Sequence, residues 1–464
     1  MKKFIPLILM TLCAGASTAQ RNMTLYQMHE IVQSNSLNPA VPGDCRWTIG
    51  LPLLGNVSMA ANMPIAYNDL GAGSNRPLHG DEILAKIPNT VAFSADASVN
   101  LITIGYRTNS SYFQFTLNER FEFAGSVSKE LIELALKGNA QVVGKTIDAQ
   151  PKTAAAYYRE YGFGATHDFG SGLWAGARLK LFFGRLGFAG ADNKISLYTD
   201  PSTYDLTAMS DLLIRTSIPG RTVEYNPDGS IKKMKAEVNA GDFIFNPSNL
   251  GGGLDLGIIK STENGWKFSA SILNIGMIKW SKNLSSLKQN STIRYSGPRP
   301  AINTWNDLLD SIKSVVRLHE HNESGYTQWL SPVLMLGASY PVAEHIRAGL
   351  TGMSEYRAKS VFWALTATAF TEEYEHFTAG LSYTLTPSSY LNLGLGFGLR
   401  FGAFNLHLLT DNVIALFVPF SQRYATVQCG IHFRFGCHGA GNSSSDRRVY
   451  PCAAYAKTAG AVGN

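Results

Sequence analysis

The sequence predicts an all-β protein: one antiparallel transmembrane β-barrel of roughly 14 strands, with an N-terminal plug-like segment and a short loop helix. Three observations predict it. Apolar and polar residues alternate with period two over many long runs. Charged residues make up only 16% of the chain while Phe, Tyr and Gly abound; a soluble domain carries about 25% charge. No stretch beyond the leader holds the roughly 18 consecutive apolar residues that a membrane helix needs, so a crossing must be made by strands.

The alternation is clearest in six places. Val91, Phe93, Ala95, Ala97, Val99 and Leu101 oppose Ala92, Ser94, Asp96, Ser98 and Asn100. Phe113, Phe115 and Leu117 oppose Gln114 and Thr116, and Leu173 to Phe183 place alternate apolar residues against Arg178 and Lys180. Trp266, Phe268, Ala270 and Ile272 oppose Lys267, Ser269 and Ser271; Phe377 to Leu385 oppose Thr378, Gly380, Ser382 and Thr384. Leu391 to Phe401 oppose Asn392, Gly394, Gly396, Gly398 and Arg400. Several runs reach the ~9–11 residues of a tilted spanning strand, where soluble strands average about 5–6. The apolar face is assigned outward, to lipid, and the small polar face inward.

Lys2 and Lys3, the apolar run Phe4–Leu12 and Ser17-Thr18-Ala19 form a secretory leader, with cleavage expected after Ala19. Leu12 directly before Cys13 argues against a lipoprotein. The formal charge of +6 has no basic run or stripe behind it, which excludes nucleic acid as a partner. The domain reading is residues 1–19 leader, 20–90 plug or rim, 91–436 barrel and 437–464 flexible tail. Residues 20–90 alternate poorly and hold six prolines. Lys129 to Lys137 reads as a loop helix, and Asn264-Gly265 as a hairpin turn. Long polar links near 185–198, 219–248 and 281–330 are assigned to the outside.

The last strand alternates Ala425, Val427, Cys429, Ile431, Phe433 and Phe435 with Thr426, Gln428, Gly430, His432 and Arg434. Such an aromatic-ended strand suits recognition by the barrel-assembly machinery, although a tail follows it here. Cys45, Cys429, Cys437 and Cys452 lack zinc spacing. Either Cys437 pairs with Cys452 in an oxidising compartment, or the thiols are free.

Leu37-Asn38-Pro39-Ala40, Ile49-Gly50-Leu51-Pro52, Tyr158-Arg159-Glu160-Tyr161, Gly187 to Tyr198, Phe268 to Gly276 with Ile278-Lys279-Trp280, Asn392 to Gly396 and Thr410-Asp411-Asn412-Val413 follow in order. The ensemble resembles an uncharacterised outer-membrane barrel family of Bacteroidota. That family is similar in layout to long-chain fatty-acid transporter barrels and to barrels associated with type IX secretion. The resemblance implies location in the cell outer membrane, among its lipids, and passive transport or binding of a small hydrophobic ligand. The alternative is a non-enzymatic scaffold for secretion-system or cell-surface proteins. It carries no reaction.

Asn38, Pro39 and Ala40 form the candidate plug and ligand region. An apolar pocket near residues 37–65 is what the transport reading expects. Arg178, Lys180, Lys267, Arg400 and Arg434 share the inferred inner face. They could attract an anion, or they could pair with luminal acids such as Asp96 and Asp255 and with plug residues. Gly394, Gly396 and Gly398 mimic a phosphate loop but sit inside a strand, so small lumen-facing positions, where backbone or plug approaches closely, are the better reading. His319-Glu320-His321 with Glu323 lacks a zinc-protease pattern and reads as a polar loop. Neither His407 nor His432 has a nucleophilic serine turn beside it, so no enzyme and no cofactor are expected. Asp310-Ser311-Ile312 matches a short O-glycosylation sequon.

Overall fold

A computed structural model describes residues 22–70, 80–190, 192–237, 248–295, 318–357, 360–372, 376–387 and 389–437. The expected leader, the sequon at 310–312 and the tail beyond Cys437, with Cys452, lie outside the described residues. The wall strands are β1 (Cys45–Gly50), β2 (Val57–Asn62), β3 (Thr90–Arg107), β4 (Ser111–Ser128), β5 (Lys152–Asp168), β6 (Leu173–Gly190), β7 (Leu250–Ser261) and β8 (Lys267–Trp280). They continue with β9 (Val333–Ala343), β10 (Ile346–Arg357), β11 (Ser360–Thr371), β12 (Phe377–Leu385), β13 (Asn392–Phe401), β14 (Phe404–Thr410) and β15 (Tyr424–Cys437).

Each wall strand pairs antiparallel with its neighbours in this order, and β1 and β2 share one place between β15 and β3. The result is a closed 14-stranded barrel. Closure removes every free strand edge, which lets so long a sheet avoid unpaired backbone groups. Among the described residues no helix is long and apolar enough to cross a membrane.

Side-chain direction follows the period-two pattern. Leu381, Tyr383, Leu393, Phe397 and Leu399 are exposed on the outside, while Thr378, Ser382, Thr384 and Asn392 are buried within. Short links of two to five residues, such as 108–110, 169–172 and 402–403, collect at one end. The long links lie at the other. There Lys129–Lys137 is helical, as the sequence suggests, and Leu134 packs with Leu197 and Leu206. Strand β6 runs on to Gly190, so the link expected at 185–198 starts later.

The structure differs from the sequence reading in two ways. The wall begins at Cys45, not at residue 91. The first wall place is split by the turn Leu51–Asn56, where Leu53 has a φ of 66°, leaving six residues on each side. Such short pieces carry too little periodicity to register as a spanning strand. The second correction concerns the cysteines: Cys437 is bonded to Cys45, 392 residues away. These residues face each other where the last strand meets the first, at the short-turn end. Spacing along the chain says nothing about ring closure, so this pair was invisible in sequence. By closing so long a loop it restrains the unfolded chain and clasps the seam.

Candidate functional site

The interior of the barrel is the candidate site, and the chain's own N-terminal segment occupies it. Residues 22–44 lack alternation and carry Pro39 and Pro42, so they cannot join the wall ladder. They form instead a single helical turn at Met23–Tyr26 and a tight turn at Val32–Ser36. Their hydrogen-bond partners come from all round the ring. Thr24 Oγ1 donates to Asp411 Oδ1 (2.6 Å) just after β14, and Gln27 Nε2 to Thr351 Oγ1 (3.0 Å) on β10. Ser271 Oγ of β8 donates to the Leu37 carbonyl (2.7 Å), and Thr166 Oγ1 of β5 to the Pro39 carbonyl (2.6 Å). A segment that touches strands from every quarter of a closed wall lies inside it.

Asp411 is the main clasp. Its carboxylate accepts from the Met23 and Thr24 amides, both at 2.9 Å, and from the Tyr424 hydroxyl at 2.7 Å. This gives the Thr410-Asp411-Asn412-Val413 motif a physical role that the sequence did not reveal. On the same side Met23, Leu25, Tyr26, Met28 and Ile31 pack against Met335, Met353, Ala364, Phe370 and Leu409, forming a dry half of the lumen. Inner-face glycines make the room: a Cβ on Gly396 would lie 2.8 Å from Met28 Sδ, and one on Gly398 3.3 Å from Ile31. The Gly394, Gly396 and Gly398 series is thus a close-approach face.

Asn38, Pro39 and Ala40 form a docking turn. Asn38 Oδ1 accepts from the Ala40 amide at 2.9 Å, and Pro39 lies hard against Gly176, where no Cβ would fit. Around them lie the Ile258 and Ala270 carbonyls, to which Asn38 Nδ2 donates at 3.4 Å each, the Thr166 hydroxyl, and the buried Trp174 and Ile259 side chains.

The five inner-face cations do not form one patch. Arg178 and Lys180 converge on Asp255, at 3.2 and 2.7 Å, and Lys180 also reaches Glu160 at 3.5 Å. Lys267 pairs with Glu372 at 2.7 Å beside Arg347. Arg434 and Arg400 share Asp44, at 2.7 and 3.6 Å, where the internal segment enters the wall. Every one has an acid partner in the structure. Asp96, however, pairs with Arg357 at 2.9 Å rather than with any of the five. Strands β3 and β10 are seven places apart in a ring of 14, so this ion pair spans the lumen and pinches it.

Sequence reasoning missed Asn274. The alternation of β8 breaks at Leu273-Asn274, where Asn274 has a φ of 57° and the pairing with β7 slips by one residue. This bulge re-aims the backbone so that the Asn274 amide donates to Asp255 Oδ1 (2.7 Å) and its side-chain oxygen accepts from Lys180 (2.8 Å). The break in period was the available signal.

Between residues 32–37 and strands β2 to β6 a cavity of about 130 Å³ remains. Amides, hydroxyls and the paired ions share its lining with Val32, Leu37, Ala60 and Ala97, and its exposed surface is about evenly polar and apolar, where an apolar pocket was expected near residues 37–65. Asn38, Pro39 and Ala40 do not line it, whereas Arg178 and Lys180 do. In the long loops, Glu320 accepts from Ser285 and pairs with Arg221; no metal-binding group occurs there or elsewhere among the described residues.

Comparison with solved structures returns outer-membrane barrels at low identity. The toluene transporter TbuX of Ralstonia pickettii matches with a TM-score of 0.38 and 10% identity, covering 88% of this chain and 94% of that one. A Pseudomonas aeruginosa FadL homologue matches with a TM-score of 0.36 and 10% identity, over 91% and 98% of the two chains. The translocator domain of the autotransporter NalP from Neisseria meningitidis follows at 0.27 and 8%, over 84% and 88%. No curated protein matches by sequence. A family model matches residues 39–411, which run from the docking turn to the Asp411 clasp, and the chain therefore belongs to DUF5723, a family of unknown function.

Proposed function

We propose that this protein is an outer-membrane barrel for passive movement of a small ligand, held shut at rest by residues 22–44. The leader-like start, the exposed apolar belt and the short-turn and long-loop ends support the location. The observation that carries the reading is how the lumen is closed. The blocking segment is no part of the wall ladder; apart from its continuation into β1 it is held by side-chain hydrogen bonds and packing, and a cavity remains beside it. Such a closure can be undone without breaking the barrel. A scaffold needs no removable element and no cavity, so the secretion-complex alternative has less behind it. The cavity lining, about evenly apolar and polar, admits the small hydrophobic ligand that the resemblance implies.

The test is solute efflux from liposomes carrying the full mature chain, a chain lacking residues 22–43, or Asp411→Asn. The neutral amide weakens four charge-assisted hydrogen bonds, three of them from Met23 and Thr24, each worth about 1.5–3 kcal/mol, so a faster leak by at least about tenfold is expected. Deletion should leak faster still. Equal, negligible efflux from all three, with a stable partner in pull-downs, would replace transport by the scaffold.

A further inference from the structure

Resting on the membrane location proposed above, but not on passage through the lumen, we propose that the outer wall over β5 to β8 binds the phosphorylated headgroup of a membrane lipid. The site is the long-loop edge of the apolar belt, and its cations are Arg159, Lys279 and Arg185. On β5 Arg159 shares the outward row with Tyr157, Tyr161 and the exposed Phe163, while Tyr158 and Glu160 between them are buried. On β8 Lys279 is exposed between the buried Ile278 and Trp280. Arg185 is the extra residue of a bulge in β6, because Tyr157 faces Leu186 while Tyr158 faces Gly184. Its charged neighbours are Arg159 and Glu119, which joins it to the same outward group.

The register fixes the depth. Glu119 and Arg159 face each other eight residues from the turn pair Ser111 and His167. At about 3.3 Å per residue and a tilt of about 40°, that is roughly 20 Å along the barrel, near the far edge of an apolar band about 25 Å tall. One ladder row runs from Glu119 through Arg159, Phe183 and Leu250 to Lys279 and Thr327. Beside it the exposed Trp329 marks the interface. Across β10 to β13 the same edge carries exposed Tyr356, Trp363, Tyr383 and Tyr390, none of them charged. The basic group is thus confined to one sector.

The occupant follows from charge and from what lies next to it. Among the described residues Glu119 is the one acid on the outward rows of β3 to β8. Arg159 Nε donates to it at 2.6 Å, so the sector keeps a surplus of positive charge. Directly toward the short-turn end lie the exposed Phe163, Leu179 and Leu181. A molecule that meets cations at one level and bare apolar wall at the next has an acidic head and hydrocarbon tails. Guanidinium groups match phosphate oxygens in pairs, which favours a phosphorylated head.

The experiment uses the full mature chain in phosphatidylcholine vesicles, with Cys429→Ser and Cys452→Ser and a fluorescent label on Leu250→Cys, in the row between Arg159 and Lys279. Quenching by brominated phosphatidic acid is compared with quenching by brominated phosphatidylcholine. Expected is a preference for phosphatidic acid of about fivefold, the effect of one unopposed cation at a lipid surface. High salt should weaken it, and inorganic phosphate should act no more strongly than chloride of equal ionic strength. The label on Leu391→Cys, at the uncharged edge, should show no preference. Lys279→Gln should lower the preference at least about twofold, whereas Glu119→Gln, which removes the competing carboxylate, should raise it. Equal quenching by both lipids at Leu250→Cys, or an unchanged preference in both variants, would overturn the proposal. The two readings fail separately. Quenching alike by both lipids at both positions leaves the wall in lipid and removes the site alone. No quenching by either lipid at either position removes the membrane wall, and the site with it.

Discussion

Asp255→Ala should be the most damaging single substitution in the barrel, lowering its stability by about 3–5 kcal/mol. The carboxylate is fully buried and holds three groups: Arg178, Lys180 and the Asn274 amide. Its loss leaves Arg178 and a backbone donor without their acceptor and Lys180 with Glu160 alone, and the undercompensated buried charge dominates the cost. Removing the charges together should cost less. A triple variant, Arg178→Met, Lys180→Met and Asp255→Leu, leaves no buried ion of that cluster unpaired, because Glu160 keeps Arg120 at 3.3 Å. The urea midpoint of the barrel in detergent, followed by its heat-modifiable gel mobility, measures both. A loss below about 1 kcal/mol for Asp255→Ala, one-third of the smallest expected effect, would mean that the cluster is hydrated rather than dry.

The second large effect concerns flow rather than stability. The Asp96–Arg357 pair bridges opposite walls, so it closes the lumen in series with residues 22–44. Two closures in series give a non-additive result. Arg357→Ala alone should change efflux little, because the segment still blocks. Deleting residues 22–43 alone opens one constriction. Combining the two should raise efflux by at least about tenfold over the deletion, more than the product of the single effects. Arg357→Lys keeps a charge on a shorter, single-headed donor and should fall between. Simple multiplication of the single effects would mean that the ion pair does not obstruct the path.

Much of the fold was legible because a barrel wall repeats one rule. Each of β12, β13 and β15 places its apolar residues outward over the residues that the alternation indicates. What escaped was local or non-local in a particular way. The split of the first wall place at Leu51–Asn56 reduced a spanning strand to two six-residue pieces. The Asn274 bulge reversed the parity within β8. The Cys45–Cys437 bond and the Asp96–Arg357 pair depend on which strands meet once the ring closes, a property of strand number and order that no single segment carries. The inner-face cations were visible from parity, but their separation into three ion-pair groups was not. For the same reason Asp411 read as part of a motif without a job, since its partners lie 387 and 388 residues earlier in the chain.

Neighbouring positions on β15 offer the most direct measurement of the arrangement on which everything rests. Cys429 is exposed on the outer face and Gln428 is buried on the inner one. In the mature chain carrying Cys452→Ser, a fluorescent thiol label on Cys429 should be strongly quenched by lipids brominated in mid-chain. The same label on Gln428→Cys, in a Cys429→Ser background, should be spared. Equal quenching at the two positions, or a chain that stays folded in buffer and does not enter the vesicles, would contradict a lipid-facing wall around a closed interior.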